Sequence, residues 1–291
     1  MSGGCCATEI SEKTFLHDKY PFSFFIRKKR LKSNTPYLNL SQTVLEKILL
    51  RKVADNPLIE LLFQHQWQSL TQDETTVKSE LLNRQNNTIT TLESQYLVAA
   101  DGAGSRCRKF VDIPFNGPEK IQDFVSAYFE NNLRDHIQIP AKLYWVLNPE
   151  AGGTFIAHHI EKRWVYMLPI YLAYEKKESF TKEFLETRIK KALGDESINI
   201  DVKSISYWRM SAQVAQTFRK NRVLLVGDAA HRFPPTGGLG MNTGIADAHN
   251  IAWKLQTVIS GLGEEKLLDT YEQERKPIAE QNTEKSLSNY H

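Results

Sequence analysis

The chain has 291 residues, 41% hydrophobic and 24% charged, the balance of an ordinary globular protein large enough to bury a core. Its formal charge of +3 is too small to direct it to nucleic acid or an acidic membrane, and no apolar run approaches the ~18 residues of a membrane span. Three cysteines (Cys5, Cys6 and Cys107), without C-x-x-C or Cys/His ligand spacing, argue against a disulfide framework or a metal site and make a reducing, cytoplasmic compartment the expectation.

Residues 1–36 are poorly patterned, broken by Gly3-Gly4 and Pro21, and have no charged region followed by an apolar one that would mark a secretory signal. Their basic run, Arg27-Lys28-Lys29-Arg30, reads as a solvated loop, with a phosphate contact as the sharper alternative. Ser41 can cap a helix whose apolar positions Leu45, Ile48, Leu49 and Val53 fall at helical spacing. "TTVKSEL" and "TITTLES" flank the polar turn "NRQNN" and predict a hairpin. "YLVAADGAGS" is written like a buried strand that stops in a tight loop.

Between 115 and 208 aromatic residues crowd the chain: Tyr128, Phe129, Tyr144, Trp145, Phe155, Trp164, Tyr166 and Tyr171. Strand-like runs predict a mostly antiparallel sheet, with "SFTKEFLETRIKKAL" as one amphipathic helix. The aromatic face is read as core, with the wall of a ligand pocket as the alternative.

The most informative stretch is "VLLVGDAAHRFPPTGGLGMNTGIADAHNIAWKL", residues 223–255. A short apolar strand ends at Asp228, a position where open parallel sheets bind ligands and where a carboxylate suits a polyol or ribose hydroxyl, with a helix or turn cap as the plainer alternative. Pro234 and Pro235 stiffen the loop, and Gly237, Gly238, Gly240 and Gly244 surround the start of a helix predicted over 242–260. The free N–H groups there suit an anion or a ring edge that gains negative charge. Ile245, Ala248, Ala252, Leu255 and Ile259 form the helix's apolar face. A last helix over 264–288 contains Pro277, a site for a kink or restart.

These residues resemble a known family. "GDAAHRFPPTGGLGMNTGIADAHNIAWKL" is similar to the second flavin motif of the FAD-dependent aromatic-ring monooxygenases, the class of p-hydroxybenzoate and phenol hydroxylases. Asp101, Gly102, Ser105 and Arg108 match its Asp-Gly-x-x-Ser-x-x-Arg motif, and "YLNLSQTVLEKIL" resembles its earlier helix. The resemblance covers most of residues 37–288. It implies an α/β fold in which an incomplete FAD-binding Rossmann-like domain (37–114 and 209–291) is interleaved with a mostly antiparallel substrate-binding sheet domain (115–208).

The resemblance also implies site roles. Asp228 would bind the ribityl chain of FAD. Pro235, Gly237, Gly238, Leu239, Gly240, Met241 and Asn242 would line the isoalloxazine ring. Gln42 would lie near the FAD, and Asp101 and Arg108 near the FAD and the groove where NAD(P)H docks. No catalytic residue is assigned, and His231 is read as a structural hydrogen-bonding group. The implied chemistry is hydroxylation of a small aromatic, phenolic substrate with NAD(P)H and O2 through a flavin C4a-hydroperoxide. A halogenase reading would call for a Trp-x-Trp-x-Ile segment, which is absent.

One departure matters. The family begins with a strand, a G-x-G-x-x-G turn and a helix that hold the FAD pyrophosphate, and the chain contains no such triplet. The expectation is therefore a truncated or split enzyme whose missing βαβ unit could come from a partner chain. The alternative is a non-catalytic remnant that binds an aromatic ligand or a partner chain.

Overall fold

A computed structural model describes residues 22–23 (backbone only), 42–137, 139–148, 150–171 and 174–290. The readings made for Cys5, Cys6, the basic run and Ser41 lie outside the described residues. In chain order the helices are α1 (Gln42–Ala54), α2 (Arg106–Phe110), α3 (Lys182–Leu193), α4 (Gly240–Ile259) and α5 (Asp269–Tyr290). The strands of the first half are β1 (Phe22–Ser23), β2 (His65–Gln72), β3 (Val77–Asn83), β4 (Ile89–Ser94), β5 (Leu97–Ala99), β6 (Phe115–Asn116) and β7 (Gln122–Phe129). Those of the second are β8 (Leu143–Val146), β9 (Gly153–His159), β10 (Arg163–Ile170), β11 (Val202–Met210), β12 (Gln213–Ala215), β13 (Arg219–Lys220), β14 (Val223–Leu225) and β15 (His231–Arg232). They divide into two compact units, one of residues up to Ile59 with Gln122–Arg209, the other of Glu60–Ile121 with Met210 onward.

The first unit is a six-stranded sheet in the order β1-β8-β9-β10-β7-β11. Its central pairs are antiparallel, with Trp164 opposite Phe129 and Tyr166 opposite Phe155. Alternation along β10 turns Trp164, Tyr166, Leu168 and Ile170 inward, where they meet Phe129, Tyr144 and Phe155 and the apolar face of α3 (Leu185, Ile189, Ala192, Leu193). Of the eight aromatics singled out in this segment, these five are thus core, whereas Tyr128 is half-buried and Trp145 and Tyr171 are exposed. Thr181 caps α3 by accepting the Phe184 amide at 3.2 Å, and Gly194 ends it at φ +71°. At Gly153 a Cβ would come within 2.6 Å of the Tyr166 ring, whose hydroxyl donates to the Gly152 carbonyl at 2.9 Å. Only glycine leaves that ring its place. The helix predicted after Ser41 is α1, yet its apolar residues are not buried: Ile48 is 46% and Leu49 52% exposed.

In the second unit β2, β3 and β4 form an antiparallel sheet, and the polar turn joins β3 to β4 with Leu82 opposite Ile89. β14 lies between β13 and β5 and runs parallel to β5, pairing Leu225 with Ala99. β14 is wholly buried in a core that includes Val214, Phe218, Ile251, Leu268 and Tyr271. The Tyr271 hydroxyl donates to the Leu225 carbonyl at 2.7 Å and ties α5 to this strand. α5 continues through Pro277 rather than restarting there.

α4 begins at Gly240, and the apolar face read from the sequence lies largely outward: Ile245 and Ile259 are 51% and 50% exposed, Ala248 and Ala252 are exposed, and Leu255 is half-buried. The residues it buries are Thr243, Asp247, Ile251 and Lys254, so its inward stripe is mostly polar. Helical periodicity identifies an apolar stripe, but it does not say what that stripe faces.

Candidate functional site

Because β5 and β14 are parallel neighbours, the loops that follow them leave the same end of the sheet. One carries Asp101 and the other Asp228, the arrangement in which open parallel sheets place ligands. The two acids have different surroundings. Oδ2 of Asp101 accepts the amides of Arg106 at 2.8 Å and Cys107 at 3.1 Å, and Ser105 Oγ accepts the Arg108 amide at 2.9 Å. Both side chains therefore cap the short α2. Asp228 is exposed, and its carboxylate makes no hydrogen bond to any described residue.

Arg108 is 7% exposed; its Nη1 donates to the Ile113 carbonyl at 2.5 Å, and its guanidinium lies 3.8 Å over the Phe115 ring. Arg232 approaches the same ring at 4.6 Å. Burial and then the neighbouring Arg232 charge lower the Arg108 pKa, with Asp101 opposing. Arg232 is lowered by burial and held up by Glu119 and Asp228. Burial pushes the Cys107 thiol to about 12, so it stays protonated and inert near neutral pH.

The glycine loop divides by purpose. A Cβ on Gly244 would lie 3.3 Å from the Gly227 Cα, so this pair serves close backbone packing, and a Cβ on Gly237 would meet the Asn289 side chain at 3.3 Å. At Gly238 and Gly240 an added Cβ would meet nothing within 4 Å, and Gly238 holds φ +64°. The open, side-chain-free surface is therefore at these two positions. The Gly238 amide closes a turn onto the Pro235 carbonyl at 3.1 Å, while Thr236 Oγ donates to the Ser286 carbonyl at 2.5 Å, anchoring the loop to α5. Leu239 occupies the N-cap of α4 without a side-chain cap, so the amides of Gly240, Met241 and Asn242 are the orphan donors of a 20-residue helix.

Among the sequence-selected residues, the structure thus gathers Asp228, Pro235, Gly237, Gly238, Leu239, Gly240, Met241 and Asn242 into one strand–loop–helix element. Asp101 and Arg108 follow the adjacent strand, largely engaged with their own chain. Gln42 belongs to the other unit, where its amide donates to Glu46 at 2.8 Å within α1. His231 is fully buried, with Nε2 2.5 Å from Asp247 Oδ2, a structural bond. Asp247 and its partner Arg275 were not singled out in the sequence, although Thr243 and Asp247 stand at helical spacing on the same face.

These features fit the ring-and-ribityl half of FAD. An exposed acid without hydrogen bonds to the described residues can take ribityl hydroxyls, open space at Gly238 and Gly240 admits a flat ring, and uncapped amides can meet its electron-rich edge.

Comparison with known proteins agrees. The FAD binding domain family matches residues 8–286. The 2,4-dichlorophenol 6-monooxygenase of Cupriavidus pinatubonensis is 34% identical over 268 residues, covering 89% of this chain and 44% of that protein. The crystal structure of the flavin-dependent monooxygenase PieE with FAD and substrate superposes with a TM-score of 0.82 at 32% identity, covering 86% of this chain and 44% of that one. Aklavinone-11 hydroxylase with FAD and aklavinone gives a TM-score of 0.81 at 31% identity, covering 86% and 48%. The chain therefore spans less than half the length of each of these relatives. On this agreement of motif, fold and sequence, the chain belongs to the FAD-dependent aromatic-ring monooxygenase family.

Proposed function

We propose that this chain provides the ring-and-ribityl part of the FAD site in a monooxygenase that hydroxylates a small phenolic substrate, with NAD(P)H and O2 as co-substrates. The observation that carries this reading is Asp228, exposed and without a hydrogen bond to any described residue, beside the bare loop and the uncapped start of α4. Asp228 accepts hydroxyls of the ribityl chain. The amides of Gly240, Met241 and Asn242 hold the ring's pyrimidine edge and stabilise negative charge there. Bound at this site, FAD supplies the redox chemistry that couples NAD(P)H to O2. Pro235, Gly237 and Leu239 complete the ring's surroundings, with Asp101 and Arg108 as outer contacts.

A phenolic substrate is supported by the dichlorophenol monooxygenase relative and by the sheet face opposite the core of the first unit. There Phe124 and Trp208 stack at 4.5 Å, Trp208 Nε1 donates to Ser126 Oγ at 2.9 Å, and Ile156, Val165 and Met167 are half-buried. This is an aromatic wall with one polar group fixed within it.

Two further observations favour cover by another segment, a strand–helix unit from a partner chain or from a longer form of the same protein. Among the described residues β5 is an edge strand of its sheet, and α4 turns Met241, Ile245, Trp253 and Ile259 outward at 46–51% exposure. A cytoplasmic setting suits the cysteine content, and no described helix is long and apolar enough to cross a membrane.

The test is a titration of the purified chain with FAD, FMN and riboflavin, read by flavin fluorescence and absorbance. Binding of all three with affinities within about tenfold, weakened by Asp228→Ala, is expected, because the described contacts address only the ring and ribityl chain. Failure of all three to bind overturns the reading. Binding without NAD(P)H oxidation, even with the covering segment added, would favour the non-catalytic alternative.

A further inference from the structure

Asp247 is fully buried in the second turn of α4. Its Oδ1 accepts Arg275 Nε from α5 at 2.8 Å. Its Oδ2 accepts the Gly227 amide at 3.2 Å and faces His231 Nε2 at 2.5 Å. A ring nitrogen opposite a carboxylate carries the proton, so His231 donates here. The His231 ring stacks on Phe233 at 4.8 Å, and its Nδ1 has no partner among the described residues. Gly227 and His231 are the two ends of the loop that carries Asp228.

Arg275 alone would neutralise the carboxylate. The second oxygen is instead given wholly to that loop, and it grips both ends. The same helix meets the loop one turn earlier, where Gly244 lies so close to Gly227 that a Cβ would be 3.3 Å from its Cα. Gly227 adopts φ +56°, a left-handed backbone open to glycine at little cost. One turn further back lie the uncapped amides of Gly240, Met241 and Asn242.

We infer that Asp247 is the positioning residue of the flavin site: through His231 and the Gly227 amide it holds Asp228 in register with the start of α4 before any ligand arrives. A preset site avoids ordering the loop at the moment of binding. This inference rests on the FAD reading above, and it assigns a function to the polar stripe that α4 turns inward.

Asp247→Asn places an amide donor among donors and puts the fold at risk, so the deciding variant is His231→Phe, which keeps a ring on Phe233 and removes only the bond to Oδ2. Amide hydrogen exchange is compared with wild type across residues 227–231, β14 and α5, and FAD affinity is measured for His231→Phe, Asp228→Ala and the double variant. The expected result is exchange raised at 227–231 alone and FAD affinity lowered about tenfold, an effect absent in the Asp228→Ala background because both changes act through one contact. Exchange raised equally in β14 and α5 overturns the inference in favour of a general structural bond. So does unchanged exchange at 227–231, or a full additive loss in the double variant. If the wild-type chain binds no flavin, the FAD reading falls and takes this role with it; if it binds and His231→Phe binds equally well, the positioning role alone falls.

Discussion

α3 and α4 are both amphipathic helices of this chain, and they use that property in opposite ways. α3 turns Leu185, Ile189, Ala192 and Leu193 into an aromatic core and leaves its lysines and glutamates outside. α4 turns Thr243, Asp247 and Lys254 inward beside Ile251 and keeps Ile245, Trp253 and Ile259 outside. The difference follows from what each helix serves. α3 closes a sheet, so water exclusion governs it. α4 must align a loop through directed bonds, and an apolar contact carries no such direction.

The comparison breaks most readily at Leu185, which is fully buried. Leu185→Ala should cost about 2–5 kcal/mol in chemical denaturation, the range for removing a large aliphatic side chain from a packed core. A loss well below about 1 kcal/mol would mean that α3 is not held by its apolar face, and the contrast with α4 would disappear.

The matching position on α4 is Lys254, buried completely and paired with Glu274 Oε1 at 2.9 Å, while the glutamate is half-exposed. Removing the buried partner should therefore be mild and removing the exposed one costly. Lys254→Met should stay within about 1 kcal/mol of wild type, whereas Glu274→Ala, which strands a buried ammonium, should cost about 1–3 kcal/mol. The reverse order in thermal or denaturant unfolding would show that the inward polar stripe is packing rather than pairing.

How far these roles are legible in the sequence depends on the range of the interaction. The turn "NRQNN", the Thr181 cap and the Gly194 stop of α3 act within a few residues, and the elements they bound were readable. The strand that leads to Asp228 was readable too, because an apolar run too short for a helix leaves few alternatives. Asp101 and Ser105 look the same in sequence whether they cap a helix or meet a ligand, since both uses need a short acceptor side chain. The outward turn of α4 and the bond from His231 to Asp247, 16 residues apart, depend on where other elements lie. Periodicity has no access to that. The neighbours that a Cβ would meet at Gly237 and Gly244, Asn289 and Gly227, come from other segments and are equally invisible to it.

The smallest effect lies at the two ends of α3, which solvent-facing pairs hold. Lys182 and Lys203 lower the Asp201 carboxyl to about 2, while Ser197 first and then His136 lower Asp195 to about 2. Both carboxylates sit below the ordinary 3.8, so their contribution to stability is complete above that value and is lost as pH falls through about 2. Tm should therefore decline between about pH 4 and pH 2, and Asp201→Asn or Asp195→Asn should each flatten part of that slope. Added salt separates the two: it should erase the share of Asp201, whose partners are exposed ammonium groups, and spare most of that of Asp195, whose chief partner is a hydroxyl 2.6 Å away. An unchanged slope in both variants would place the whole stability of α3 on its apolar face and sharpen its contrast with α4 further.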